Sequence, residues 1–324
     1  MGGELVDFAQ IEITTRCNFT CGFCAGRHMP QQDLPREDFI AMLSQWPALK
    51  NIEIQGEGEP LLHEDFFALV ADAKSLCPAA KLSTITNGSL LNDANIAGLM
   101  HSALDHLWIS LETLEPLQFQ RIRGGKLSRV LRGLRALLAA KKHNGHALKI
   151  GFAVTLLHNH VQQLPAISRL YHALGMDGGI SLQGLQTMPA YQRYYDATLN
   201  AALLQPSDTE QLTQLIASDL YIKHSLLAYQ RQGGFYAQMQ QQAGPACCPW
   251  LKLGTYVDVK GRVMSCCFSK NPQHALGHFL QEKAVIERRA ALSSALLNGH
   301  IPATCEGCGI ASQLARQNIP ALNI

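Results

Sequence analysis

Between residues 10 and 185, short β-branched or apolar runs alternate with stretches whose apolar positions recur at helical spacing. The runs at 11–15, 51–55, 81–86, 107–112, 149–156 and 179–183 predict six strands. Helical patterns fall between them, near 36–45, 65–76, 91–103, 126–142 and 162–174. The stretch RVLRGLRALLAAKK sets Val130, Leu131, Leu134, Leu137 and Leu138 on one stripe with basic residues opposite, as expected of a helix laid on a core. Strand–helix alternation implies right-handed βαβ crossovers and a parallel sheet. Six such units are too few to close an eight-stranded barrel. The expected fold is therefore α/β, a partial (β/α)6 TIM-like barrel with its chemistry at the C-terminal strand ends.

The pattern changes after residue 186. Residues 187–245 are rich in Gln, Tyr and Leu, with helical stretches near 207–219 and 223–242, and read as a helical connector. Residues 246–324 hold GTYVDVKGRVMSC, a β-hairpin turning at Lys260–Gly261, a late helix near 282–298 and six clustered cysteines. The chain thus divides into a barrel (1–186), a connector (187–245) and a small Cys-rich C-terminal domain (246–324). Its 324 residues, 47% of them hydrophobic, suffice for a sizeable core. With 27 basic and 25 acidic residues the net charge is +2, and no block is read as departing far from that balance, so nucleic acid is not an expected partner. The start, MGGELVDFAQIEITT, lacks the long apolar run of a signal peptide. No run of about 18 apolar residues suggests a membrane span. A cytoplasmic location without a membrane partner is the expectation.

Cysteine carries the chemical information. Nine of the ten fall in four tight groups: Cys17/Cys21/Cys24, Cys247/Cys248, Cys266/Cys267 and Cys305/Cys308. In a reducing compartment, clustered thiols more often bind metal than form disulfides. Cys77 stands apart beside Pro78 and reads as a small buried residue. CNFTCGFC follows the first strand with spacing Cys-x3-Cys-x2-Cys. Three thiolates on one short loop leave one iron of a four-iron cube without a protein ligand, open to a small molecule bearing an amine and a carboxylate. A zinc knuckle completed by His28 is the competing reading of the spacing alone, since zinc prefers four ligands.

Cys17, Cys21 and Cys24, with aromatic Phe23 before the third cysteine, resemble the motif of the radical S-adenosylmethionine (SAM) superfamily. Further matches follow in the order of that family. Gly56-Glu57-Gly58-Glu59-Pro60 resembles its GGE motif, with Gly58 and Glu59 the matching positions and Glu57 less clearly assigned. Thr86-Asn87-Gly88 resembles its TNG turn. Ile109-Ser110-Leu111-Glu112 resembles SLD, with Glu in place of Asp, and Arg123 matches an arginine that pairs with the SAM carboxylate. The resemblance implies that Cys17, Cys21 and Cys24 hold a [4Fe–4S] cluster. Phe23, Gly58, Glu59, Asn87, Ser110 and Arg123 would line the SAM site, Glu59 offering a carboxylate to the ammonium and Arg123 a planar fork to the carboxylate.

The C-terminal cysteines resemble a SPASM/twitch auxiliary domain: Cys247-Cys248, a hairpin with Gly261 at its turn, Cys266-Cys267, the stretch Leu276-Gly277-His278-Phe279, then Cys305-x2-Cys308. Six thiols cannot complete two four-thiolate clusters, so one auxiliary [4Fe–4S] cluster is expected. Cys266, Cys305 and Cys308 are the favoured ligands, with Cys248 or Cys247 as the fourth. A zinc ribbon is the alternative use of the same sulfurs. One thiol of each adjacent pair is then spare. Either it is buried and inert, or Cys267 or Cys247 faces the barrel mouth and returns a hydrogen atom to a substrate radical.

His158-Asn159-His160 reads as an ordinary loop, while Tyr191, Tyr194 and Tyr195 could line a pocket or fill the connector core. His28 and Met29 would cover the cluster. The resemblance implies reductive SAM cleavage to a 5′-deoxyadenosyl radical and hydrogen abstraction, by an oxidoreductase or epimerase, from a peptide or a sugar- or aminoglycoside-like small molecule. An electron donor such as flavodoxin or ferredoxin would supply the reductant. The opposing readings are a non-catalytic zinc or iron–sulfur scaffold or RNA-binding module, and a methyltransferase of the same superfamily, for whose extra cobalamin domain the chain has no room.

Overall fold

The computed structural model describes residues 6–317 except Asn159 and Gly233; the middle position of the His158–His160 tripeptide thus lies outside the described residues. The chain runs β1 (Phe8–Ile11), α1 (Arg36–Gln45), β2 (Asn51–Ile54), α2 (Phe66–Leu76), β3 (Lys81–Thr86), α3 (Asp93–His101), β4 (His106–Ser110), α4 (Pro116–Arg123), α5 (Leu127–Asn144), β5 (Lys149–Leu156), α6 (Leu164–Ala173) and β6 (Ile180–Gly184). Then come α7 (Pro189–Gln192), α8 (Ala197–Ala201), α9 (Pro206–Ser218), α10 (Leu220–Gln232), α11 (Phe235–Ala243) and α12 (Pro249–Leu253). β7 (Gly254–Val257), β8 (Arg262–Met264), β9 (Gly277–His278), α13 (Glu282–Leu297) and α14 (Gly309–Gln317) complete the order. Among the described residues no helix is long and apolar enough to cross a membrane.

β1 to β6 pair in parallel in sequence order, giving the expected partial barrel. The sheet continues beyond it. β7 pairs in parallel with β1, with Phe8 opposite Gly254, and β8 and β9 add antiparallel strands. The hairpin expected in a separate cap is therefore part of one nine-stranded sheet.

Three other differences have local causes. The first strand starts at Phe8 and ends at Ile11, not at 11–15. Beyond Ile11 the returning loop occupies the backbone, with Leu34 N–H donating to Ile13 O and Thr15 N–H to Gln32 O. The fourth and sixth strands lie one or two residues from their expected bounds. The helix expected over 223–242 divides at Gly234, where a Cβ would lie 2.1 Å from the Tyr229 ring.

The strand pleat sends alternate residues to opposite faces. Ile11, Ile52, Ile54, Leu82, Leu107, Ile109 and Phe152 join the main core, which Val130, Leu134 and Leu137 of α5 reach from the helix layer. The other face of β1 to β4, the barrel lumen, carries Gln10, Glu12, Glu53, Ser83, Trp108 and Ser110, all buried. Phe8, Phe235, Trp250 and Tyr256 pack into a separate apolar cluster.

Candidate active site

Because β1 to β5 are parallel, the loops that follow them meet at one rim. The loop after β1 is tied at its base. Thr14 Oγ1 donates to Asp33 Oδ1 (2.6 Å), Thr15 Oγ1 to Pro30 O (2.7 Å), and Arg16 pairs with Asp33 (2.5 Å). Between these ties lie the three thiols. Cys17 Sγ accepts from Phe19 N–H (3.4 Å), Arg123 Nη1 approaches Cys21 Sγ (3.8 Å), and Cys24 Sγ lies 3.3 Å from Glu57 Oε2. Burial pushes all three thiols above the ordinary cysteine value. The loop after β2 packs directly against this one, since a Cβ on Gly58 would lie 2.4 Å from Thr14 O and 2.7 Å from Arg16 O. Only glycine permits that approach.

The residues expected around SAM converge on the same rim, with partners of their own. Glu59 is buried and accepts from Thr86 Oγ1 (2.6 Å), Asn87 N–H (2.7 Å) and Leu61 N–H (3.3 Å), joining the loops after β2 and β3. Burial raises its pKa. Three of its lone pairs are thus engaged. Asn87 Nδ2 donates to Asn18 Oδ1 (2.8 Å) and Asn87 Oδ1 accepts from Ser89 N–H, orienting the amide toward the cysteine loop. The following Gly88 takes a positive φ of 74°. Ser110 ends β4 and is buried.

Arg123 is buried with its Nε on Glu112 Oε2 (2.6 Å) and its Nη2 on Glu112 Oε1, and its guanidinium lies 5.6 Å from the Phe23 ring centre. The fork expected to grip the SAM carboxylate is thus occupied by the Glu that stands where the SLD pattern has Asp. Burial opposes the Arg123 charge, but Glu112 outweighs it and raises the pKa.

Glu57 has a more specific place than its sequence context conveyed. Its Oε1 accepts from Tyr191 Oη (2.8 Å) and sits 3.0 Å from Lys270 Nζ, while Oε2 accepts from Gly26 N–H (3.3 Å). Lys270 also donates to Tyr256 Oη (2.8 Å). Lys270 follows Cys266 and Cys267 in sequence, so this pair links the C-terminal cysteine segment to the first cysteine loop. Burial pushes the Glu57 carboxyl up, yet the Lys270 ammonium and the hydrogen bonds hold it below the ordinary value. Burial likewise opposes the Lys270 charge, but Glu57 and the surrounding groups raise its pKa.

Further into the lumen, Glu12 Oε1 accepts from Glu57 N–H (2.8 Å), while its buried Oε2 has no hydrogen-bond partner among the described residues. Glu53, deeper on β2, is pushed up to about 7 by burial, against which a Ser83 hydrogen bond acts weakly. Glu12, Glu53 and Lys270 were not picked out from sequence. A signal was available for the first two: fully buried parallel strands read as continuous apolar runs, whereas β1 and β2 alternate Gln10, Glu12 and Asn51, Glu53, Gln55 with Ile.

The C-terminal cysteines divide clearly. Cys248, Cys266, Cys305 and Cys308 line one small cavity with Tyr236 and Thr304. Burial raises Cys266 and Cys305 to about 12, and the neighbouring thiols add to the shift. Cys247 is not in that wall; its Sγ lies 3.1 Å from Ala243 O. Cys267 is half-buried against the Phe8, Phe235, Trp250 and Tyr256 cluster, with Lys270, Glu53 and Glu57 within electrostatic reach. Of the two spare thiols, Cys267 thus lies against that apolar cluster and Cys247 is held by α11. Cys77 is buried beside Trp46 O. Tyr191 and Tyr195 are buried in a cluster with Leu157 and Met188, while Tyr194 stacks on His28 at 3.9 Å.

Residues 11–164 match the model of the radical SAM superfamily. Over these residues the chain carries a radical SAM domain. It is 33% identical over 197 residues to a GTP 3′,8-cyclase of Rhizobium meliloti (strain 1021), covering 58% of this chain and 53% of that protein. It is 31% identical over 229 residues to the GTP 3′,8-cyclase of Brucella abortus (strain S19), covering 67% and 63%. The chain thus spans 53% of the length of the first of these curated relatives.

Among solved structures, Streptococcus suis SuiB bound to precursor peptide SuiA superposes with a TM-score of 0.71 at 15% identity, covering 95% of this chain and 71% of that one. BtrN in complex with AdoMet and 2-DOIA gives 0.54 at 15% identity, covering 95% and 94%. The fold is that of a radical SAM core with a SPASM-type C-terminal region. The cofactors of such a protein are a [4Fe–4S] cluster with SAM and an auxiliary cluster, and the donor sets suit both: two separate groups of buried or half-buried thiols, one of three and one of four.

Proposed function

We propose that this chain is a radical SAM enzyme that abstracts hydrogen from a substrate held in the barrel lumen, between two iron–sulfur clusters. One observation carries the reading: the Cys17/Cys21/Cys24 loop is joined through Glu57 to Lys270, which belongs to the auxiliary cysteine segment. In this reading Cys17, Cys21 and Cys24 hold the first cluster, and Cys248, Cys266, Cys305 and Cys308 the second. When bound, the first cluster with SAM supplies a 5′-deoxyadenosyl radical.

The chain's own residues then have defined tasks. Gly58, Asn87, Ser110 and Phe23 shape the SAM pocket, and Glu59 offers its remaining lone pair to the ammonium. Arg123 binds the SAM carboxylate only by sharing its fork with Glu112, or through Nη1. Lys270 and Tyr191 fix Glu57 and with it the cysteine loop, so that the reacting carbon and the radical meet at a set distance. The lumen itself favours a particular substrate chemistry. Among the described residues no cation lies within ion-pair distance of Glu12 or Glu53, and the Lys270 ammonium is committed to Glu57. Such a surface suits a peptide or small molecule bearing an amine and hydroxyls, and offers a triphosphate no free counter-charge. Cys267, rather than Cys247, is the candidate to return a hydrogen atom. Its S–H bond breaks as the substrate C–H forms, and the thiyl sulfur left behind takes one electron from the reductant and one proton.

A second reading, cyclisation of GTP, is favoured by the 33% identity to the Rhizobium enzyme. Anaerobic incubation of the reconstituted protein with SAM, reductant and a deuterated panel of a peptide, an amino sugar and GTP separates the two. Deuterium in 5′-deoxyadenosine from the amine-bearing substrates supports the first reading, and from GTP alone the second. If no 5′-deoxyadenosine forms, even without substrate, the radical chemistry is refuted.

A further inference from the structure

The net charge of +2 conceals a strong local bias. Residues 116–176 contain ten Lys or Arg and no Asp or Glu, which corrects the impression of an even charge distribution along the chain. Four of the ten are matched: Arg123 by Glu112, Lys141 and Lys149 by Asp177, and Arg169 by Asp219. The other six, Arg121, Lys126, Arg129, Arg132, Arg135 and Lys142, are exposed, and none lies in an ion pair with a described residue.

Helix stability does not account for them. Lys142 lies in the last turn of α5, where a cation suits the helix dipole. Lys126 is the N-cap and Arg129 lies in the first turn, where a cation is disfavoured and no acid offsets it. Arg129, Arg132 and Arg135 are also like charges at successive i,i+3 spacings, which repel. The stripe therefore weakens the helix it occupies.

Its N-terminal end borders the first cysteine loop. Thr20 N–H donates to Arg123 O (3.0 Å), Gly22 N–H to Ile122 O (3.4 Å), and Cys21 Sγ lies 3.8 Å from the same Arg123 oxygen. Asn18, Thr20 and Gly124 are exposed at this seam. Here a single backbone segment separates the surface from the thiol. Leu117, 74% exposed, lies beside Arg121, whose Nε donates to its carbonyl. An apolar contact within a basic rim is thus at hand.

We propose that Arg121, Lys126, Arg129 and Arg132 form the docking face for an acidic one-electron carrier protein that reduces the cluster on Cys17, Cys21 and Cys24. The inference rests on the function proposed above. The carrier loses one electron for each SAM consumed. That electron enters the C5′–S bond, methionine sulfur leaves with the bonding pair, and the carbon keeps the unpaired electron. Opposite charge would steer the encounter and make it sensitive to salt.

The test compares two reductants on the full-length reconstituted enzyme, with 5′-deoxyadenosine formation as the readout. One is a pre-reduced acidic flavodoxin; the other is a reduced viologen, whose positive charge the face cannot attract. For the R121E/R129E/R132E variant, flavodoxin-supported kcat/KM is expected to fall about tenfold or more, and the steep loss of rate with added KCl to disappear. Viologen-supported turnover should hold or rise. Equal flavodoxin rates in variant and wild type, or wild-type rates indifferent to salt, would overturn the proposal, as would binding of RNA by this face with donor-supported rates untouched. Should the reversed variant fail to hold its cluster, R121Q/R129Q/R132Q removes the charges without adding new ones and must show a smaller loss in the same direction. Absence of 5′-deoxyadenosine with both reductants would instead count against the radical SAM activity itself.

Discussion

Replacing Lys270 with Met tests whether the auxiliary segment anchors the first cysteine loop. The Lys270 side chain is 4% exposed and that of Glu57 12%, so the pair at 3.0 Å is little screened by water. Met keeps much of the lysine stem's volume and removes the charge, leaving a buried carboxylate 3.3 Å from Cys24 Sγ. Removing one partner of a buried ion pair costs about 3–5 kcal/mol, because the other charge remains desolvated and unpaired. Tyr191 and Gly26 still donate to Glu57, which puts the expected loss toward the lower end, about 3 kcal/mol. Glu57→Gln in the same chain removes the orphaned charge, so K270M/E57Q should recover about 2 kcal/mol relative to the sum of the single variants. Urea unfolding of the four proteins, prepared identically, measures this cycle. A K270M cost below about 1 kcal/mol, or strict additivity, would show that the pair is not a structural tie.

The remaining predictions concern the lumen and the second thiol group. Glu53 binds a proton more tightly folded (pKa about 7) than unfolded (4.5), so its penalty is absent at low pH, grows as pH rises from about 4.5, and is complete above about 7. Relative to Glu53→Gln, the wild type should therefore lose on the order of 3 kcal/mol of stability between pH 4.5 and 8; parallel pH profiles would contradict the burial argument. Single Ala substitutions at Cys248, Cys266, Cys305 or Cys308 should lower bound iron from about eight to about four per chain, while Cys247→Ala and Cys267→Ala retain it. Iron loss in either of the last two would reassign the ligands. A Cys267→Ala variant that gives the wild-type product at an undiminished rate would remove the thiol from the chemistry.

The sequence was most informative where a local rule decides the outcome. Six strand–helix units at regular spacing define the barrel, and three cysteines after the first strand define its rim. Val130, Leu134 and Leu137 recur at helical spacing because one face of α5 meets the sheet. Long-range pairing was harder to read. Nothing in GTYVDVKGRVMSC distinguishes a free hairpin from one that adds a parallel strand to β1, since that partner is more than 240 residues away in sequence. Lys270 was missed for the same reason: its meaning comes from Glu57 across the fold, and a lysine alone carries no such signal. The choice between Cys247 and Cys248 could not be made because the spacings of adjacent residues to every other cysteine differ by only one. Backbone direction separates them, with Cys248 capping α12 beside the other three thiols and Cys247 turned back to Ala243.

The central claim is that Cys17, Cys21 and Cys24 leave one iron open to SAM. Electron paramagnetic resonance of the reduced, reconstituted enzyme tests it most directly, with and without SAM, in wild type and in C17A/C21A/C24A. In the wild type, SAM should shift the spectrum of one of two reduced clusters. In the triple variant about four irons and one SAM-insensitive signal should remain. A SAM-induced shift that survives the triple substitution would contradict the account.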